Sequence, residues 1–284
     1  MKKIYSKRKI QSILIVVFCF VFINKVPSWL VGHSVQYLIS RGIFIQQIHR
    51  LGELNLFSTF LSIVENTGVL VVSALILFVF RKAQSRVDKI TNIRSKDIFQ
   101  KSDVKRLCLF GIMGAGAAQV ITLCLIWLPL NIQSSYASSM STVLNGSIAC
   151  ILFIIAHIII VPAKEEIVFR GLYYEILRSS WEWKICSLLV SFLFAGIHRN
   201  KIQIVYAFFM GVLLCVIREL YGSVLYTIAF HLMFNLSGSG IFLSEYREYL
   251  MYIGTIVFII SLILFVLDTK KGKYIGACRK ECQD

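Results

Sequence analysis

Charge is what this chain has least of. Only 16% of its 284 residues are Asp, Glu, Lys or Arg, against about 25% in a soluble globular domain. From Leu107 to Ala163 there is none. A crossing helix needs about 20 apolar residues, so that interval holds two spans and a loop, and a water-covered fold is excluded. Acidic charge is scarcer still: 15 Asp and Glu face 30 Lys and Arg, a formal net charge of +15. Cysteine pattern is missing too. The eight cysteines show no CxxC or zinc-finger spacing and read as buried free thiols. There is no internal repeat and no low-complexity segment. No small-x-small cleavage site follows the first apolar run, which is therefore expected to stay as an anchor. Glu281 breaks a C-terminal prenylation box.

What charge there is lies beside the apolar runs. Lys2, Lys3, Lys7, Arg8 and Lys9 precede the first, and nine Lys and Arg fall between Arg81 and Arg106. Placed this way, basic residues set orientation and meet anionic headgroups, and they do not form a nucleic-acid face. Eight spans are expected, near residues 10–30, 60–80, 107–130, 143–163 (helical on to about 178), 185–199, 202–217, 222–239 and 249–267. With the N-terminus inside, cytoplasmic segments hold 22 of the 30 Lys and Arg. An even number of spans then leaves both termini inside. The fold class is all-α, a polytopic helix bundle in the cell membrane. Residues 1–140 hold the N-terminal spans and a basic loop, 141–240 a candidate catalytic core, and 241–284 the last span and a basic tail.

A charged side chain at mid-bilayer costs about 2.5–3.5 kcal/mol on insertion scales, which makes ionisable residues in the spans candidates for function. In Val161-Pro-Ala-Lys-Glu165-Glu166-Ile-Val-Phe-Arg170, neighbouring glutamates point about 100° apart and serve different partners. Glu166 and Arg170, at i and i+4, can pair. Glu165 has no such partner and is free to face a cavity. With the turn between the fourth and fifth spans near Trp181, Glu165 and His198 each lie about 25 Å from it along antiparallel helices, so the two can meet. Phe194 and His198 share a face at i and i+4, as do His231 and Asn235 deep in the seventh span. Each group also has a plainer reading: a span end for the glutamates, an interfacial residue for His198, interhelical glue for His231. His157 reads as a packing residue, Glu65 with Asn66 as the outer edge of the second span, and the serines of 134–141 as loop. Gly111, Gly114 and Ala118 suit close helix packing.

Three motifs in order, Glu165-Glu166-x-x-x-Arg170, Phe194-x-x-x-His198 and His231-x-x-x-Asn235, resemble those of the CAAX-protease and bacteriocin-processing (CPBP, or Abi) family. Gly211 and the stretch from Tyr221 resemble it too, so the likeness covers roughly residues 143–240. The resemblance implies an intramembrane endopeptidase. Glu165 and His198 would activate water, and His231 and Asn235 would support the oxyanion. Glu166 and Arg170, with Phe194, would hold the site together. It leaves open a metalloprotease, with zinc on Glu165, His198 and His231. It also implies a peptide or membrane-protein substrate, in peptide maturation or bacteriocin self-immunity. The alternatives are a non-catalytic immunity or interaction protein of the same fold and, further off, a proton-coupled transporter.

Overall fold

Apolar runs in lipid must satisfy their own backbone groups, and helices do this within one segment. The computed structural model describes residues 2–43, 57–91, 103–129, 151–198, 200–239 and 246–270, with Gln46 and His49. Among the described residues there are eight helices and no strand. They are α1 (Lys2–Ser40), α2 (Phe57–Thr91), α3 (Val104–Ile126), α4 (151–178), α5 (Trp183–Gly196), α6 (Lys201–Tyr221), α7 (Val224–Gly238) and α8 (Arg247–Lys270). The all-α bundle expected from composition is what the chain forms. Five helices (α1, α2, α3, α6 and α8) are long and apolar enough to cross a membrane. α5 and α7 have 14 and 15 residues, about 21–22 Å of rise. That is short of a hydrocarbon core of about 30 Å. The basic stretch 81–106 is helical to Thr91 as the end of α2. Its middle, the serine loop and the C-terminal tail lie outside the described residues.

α4 is the hub: α1, α2, α5, α6 and α7 all pack on it. Its winding alternates, with π turns over Ile154–Ile160 and Ile167–Tyr173 on either side of an α turn, Val161–Glu166. The single α turn between two widened ones carries Lys164, Glu165 and Glu166. Widenings of this kind gather at functional sites.

The expected break before the seventh span is built by two residues. Gly222 ends α6 with φ 74°, a left-handed cap that favours glycine. Ser223 then caps α7, accepting from the Leu225 N–H. The chain reverses within two residues, and α7 returns along α4 with His231 halfway down. Polar contacts gather at this end of the bundle. Arg218 bonds Glu175 at 2.6 Å and the Gly222 carbonyl, and Arg178 bonds Glu219 at 3.1 Å. Arg106 and Tyr221 both bond Asp268, at 3.1 and 2.8 Å. Trp181 donates to Ser12 at 3.2 Å. These pairs tie the start of α1 to the ends of α4, α6 and α8.

The small-residue stripe of α3 allows the closest approach. A Cβ on Gly114 would lie 2.0 Å from the Phe230 carbonyl oxygen on α7. One on Gly196 would meet nothing within 4 Å. Alanine in a helix is worth about 1 kcal/mol over glycine. At Gly114 that gain is outweighed, because a backbone carbonyl cannot swing aside as a side chain can. Gly114→Ala is expected to lower thermal stability by about 1–3 kcal/mol, and Gly196→Ala to leave it unchanged or raised. Scanning both variants in one lipid system checks the pair.

Candidate active site

The α turn of α4 presents its two carboxylates in different directions, as their adjacency requires. Glu166 points into the bundle and is fully buried. Its Oε1 accepts from the Arg170 guanidinium at 2.8 Å and lies 2.8 Å from His231 Nδ1. Arg170, also fully buried, donates to the Gly211 carbonyl on α6 at 3.2 Å and lies 4.6 Å over the Phe194 ring. The expected Glu166–Arg170 pair is present, and it has a third member that the sequence reading did not assign.

That member, His231, hangs between both glutamates. Its Nδ1 is on Glu166, and its Nε2 faces Glu165 Oε2 at 3.8 Å. A ring nitrogen bonded to a carboxylate carries the hydrogen, so Glu166 fixes which nitrogen His231 turns toward Glu165. His198 closes the group from the end of α5. Its Nδ1 lies 2.9 Å from the Phe194 carbonyl. A carbonyl only accepts, so Nδ1 carries the hydrogen and Nε2 keeps its lone pair. Glu165 and His231 are both near enough to act on His198 electrostatically. Phe194 is the spacer, with its ring centroid 5.1 Å from His198, 5.8 Å from His231 and 5.2 Å from Phe169.

One expectation needs correction. Glu165 is not partnerless: the Lys164 ammonium lies 3.6 Å from its Oε1. Lysine has a flexible four-carbon stem, so it can fold back across the 100° between neighbours. Asn235 faces the bundle, yet its Nδ2 donates to the His157 carbonyl at 3.0 Å. The cause is local to α4. In the π turn the Val161 N–H bonds Ala156 O, and the next nitrogen, Pro162, has no hydrogen. The His157 carbonyl therefore lacks an intrahelical donor and takes one from α7. Asn235→Leu is expected to cost about 1–3 kcal/mol for the orphaned carbonyl, and Asn235→Gln less, as thermal unfolding will show.

The other polar candidates are structural. The His157 ring packs on Phe153 at 4.8 Å, and Glu65 accepts from Ser28 of α1. Two participants escaped sequence reasoning, Lys164 and Asn66 of α2, which meet at 3.0 Å. Their signal was weak: a lysine inside an apolar run, and an amide 98 residues away.

A zinc ion needs donors about 2.0–2.2 Å from one point. Among the described residues no three His, Cys, Asp or Glu side chains group in that way. The Lys164 ammonium puts a positive charge against Glu165 Oε1, while Oε2 faces His231 Nε2.

Residues 147–237 match the family model described as type II CAAX prenyl endopeptidase Rce1-like. The matched stretch, within the CAAX-protease families that the motifs resemble, contains every residue of the three motifs. This part of the chain is therefore similar to a family described as prenyl endopeptidases. Neither a curated protein nor a solved structure matches the chain.

Proposed function

We propose that this chain is an intramembrane endopeptidase whose water is activated by Glu165 and His198. The observation that carries the proposal is His231 set between two carboxylates, its Nδ1 on Glu166 at 2.8 Å and its Nε2 turned to Glu165 at 3.8 Å. Polar atoms at such a separation leave room for a bridging water about 2.8 Å from each. Glu165 takes a proton from that water as its oxygen bonds the peptide carbonyl carbon. The His198 Nε2 lone pair accepts the second hydrogen and aims the attack. His231, held by Glu166, presents Nε2 to the developing oxyanion and, when protonated, donates to it. The remaining Nδ2 hydrogen of Asn235 can add a second donor. The proton on Glu165 then passes to the leaving amine as the C–N bond breaks.

Glu166, Arg170 and Phe194 hold this frame without touching the reacting atoms. The substrate class is a peptide or membrane-protein segment reaching the bilayer interior, in peptide maturation or bacteriocin self-immunity. Anionic headgroups of the cell membrane are the partners of the basic segments.

The test is cleavage of a mixed-sequence set of fluorogenic apolar peptides by the purified full chain in lipid nanodiscs. Wild type is compared with Glu165→Gln, His198→Ala and His231→Ala. Each substitution is expected to remove most of the turnover, and a chelator to leave wild type unaffected. Equal turnover by wild type and Glu165→Gln would overturn the proposal. Loss on chelation that zinc restores would replace the water-activation scheme with a metal one.

A further inference from the structure

The carboxylate proposed as the base is braced from outside the family-matched stretch. Glu165 is adjacent to Lys164, and adjacent side chains on a helix diverge by about 100°. The ammonium reaches Glu165 Oε1, at 3.6 Å, only with its stem turned back. A lysine stem gives up rotamer entropy when held in one geometry, so something must hold it. That holder is Asn66 on α2, whose Oδ1 accepts from Lys164 Nζ at 3.0 Å.

The amide is itself fixed. Its Nδ2 donates to the Ser62 carbonyl at 2.7 Å and to the Ser62 hydroxyl at 3.1 Å. Those bonds determine the flip, because only the oxygen can face an ammonium. One residue earlier, Glu65 accepts from Ser28 of α1, which anchors this turn of α2 to the first helix. Lys164 and Asn66 are only half-buried, but this chain of contacts is continuous from α1 to the site.

We infer that Asn66 is a positioning residue for hydrolysis, holding the Lys164 ammonium so that Glu165 keeps one orientation toward His231 and the water. The inference rests on the hydrolytic reading of Glu165. It gives the N-terminal helix pair a role in the site: α1 and α2 supply the brace that the matched segment, residues 147–237, lacks. Asn66 touches no reacting atom and reaches the site only through Lys164, which meets the Glu165 carboxylate, so its removal acts on turnover through Glu165 geometry and leaves substrate binding alone.

The experiment uses the full chain in nanodiscs with the same fluorogenic peptides, and the variants Asn66→Leu, Asn66→Asp, Lys164→Met and Asn66→Leu/Lys164→Met. Misplacing a reacting group by about 1 Å can cost 10²-fold. Asn66→Leu is therefore expected to lower kcat by about 10- to 100-fold with KM within about twofold. Asn66→Asp, which keeps the acceptor, should retain most of the turnover. The double variant should be no worse than Lys164→Met alone, since both changes remove the same brace.

Wild-type kcat in Asn66→Leu, or equal losses in Asn66→Asp and Asn66→Leu, would overturn the inference while leaving the protease reading intact. Absence of any Glu165-dependent cleavage would overturn both. Thermal unfolding of the four variants then distinguishes the two failures. Coupling between Asn66→Leu and Lys164→Met shows the contact is real even where the chemistry is not.

Discussion

Glu165→Gln is expected to reduce kcat by about 10²- to 10⁴-fold, the range that a positioned general base contributes, while KM changes little. The substitution keeps the shape of the side chain and takes away its ability to receive a proton. Its stability cost should be small. Glu165 gives up a partly open ion pair with Lys164, whose side chain keeps 14% exposure, and the long 3.8 Å approach of His231, while the Lys164–Asn66 bond persists. That combination separates chemistry from folding: the variant should unfold near the wild-type temperature and yet turn over almost nothing. Turnover within about threefold of wild type, in a sample with wild-type stability, would show that no proton is taken at this position.

The second large effect is one of stability. Arg170→Met is expected to cost about 3–5 kcal/mol, the penalty for breaking a buried pair and stranding its partner. Glu166 is fully buried, and without the guanidinium its carboxylate loses its arginine and keeps His231 at 2.8 Å. The loss is compounded at Gly211, whose carbonyl gives up the Arg170 donor, and at Phe194, which gives up the cation over its ring. Arg170→Met combined with Glu166→Leu should recover part of the loss, because no unpaired charge then remains in the bundle. The double variant should still be inactive, since His231 has lost the acceptor that orients it. Thermal unfolding of wild type and the two variants in one lipid system checks the order. An Arg170→Met protein as stable as wild type would mean that the buried charges are compensated elsewhere.

Helix positions were legible because they depend on nearest neighbours. Apolar runs placed α3, α6 and α8 to within about four residues, while α1 and α2 run on by up to about eleven residues beyond the spans expected at 10–30 and 60–80. Trp181 marked the α4–α5 turn, and Gly222 with Ser223 marks the α6–α7 reversal. The Glu166–Arg170 pair was legible for the same reason, since four residues along a helix bring two side chains together whatever surrounds them. α5 and α7, expected at 185–199 and 222–239, are 14 and 15 residues long, because the turn after Gly196 ends α5 and Ser223 caps the start of α7.

Contacts across the bundle were another matter. That His231 takes its orientation from Glu166 depends on how α4 and α7 are rotated against each other, and a rotation of one residue turns a side chain by about 100°. The π windings add to this, because they shift the face of α4 without leaving a period in the sequence. The Asn235 bond to the His157 carbonyl exists only because such a turn meets Pro162.

By itself the sequence determined the solvent, the helices and the identity of the ionisable groups that lipid would have to hide. Hydrophobicity and helical spacing are properties of short segments, and they survive any arrangement of the whole. Which nitrogen of His231 meets which carboxylate, that Lys164 turns back onto Glu165, and that Asn66 from a distant helix holds it there were decided only by the tertiary structure. Those choices follow from the rotation and depth at which separate helices pack, which no local pattern encodes.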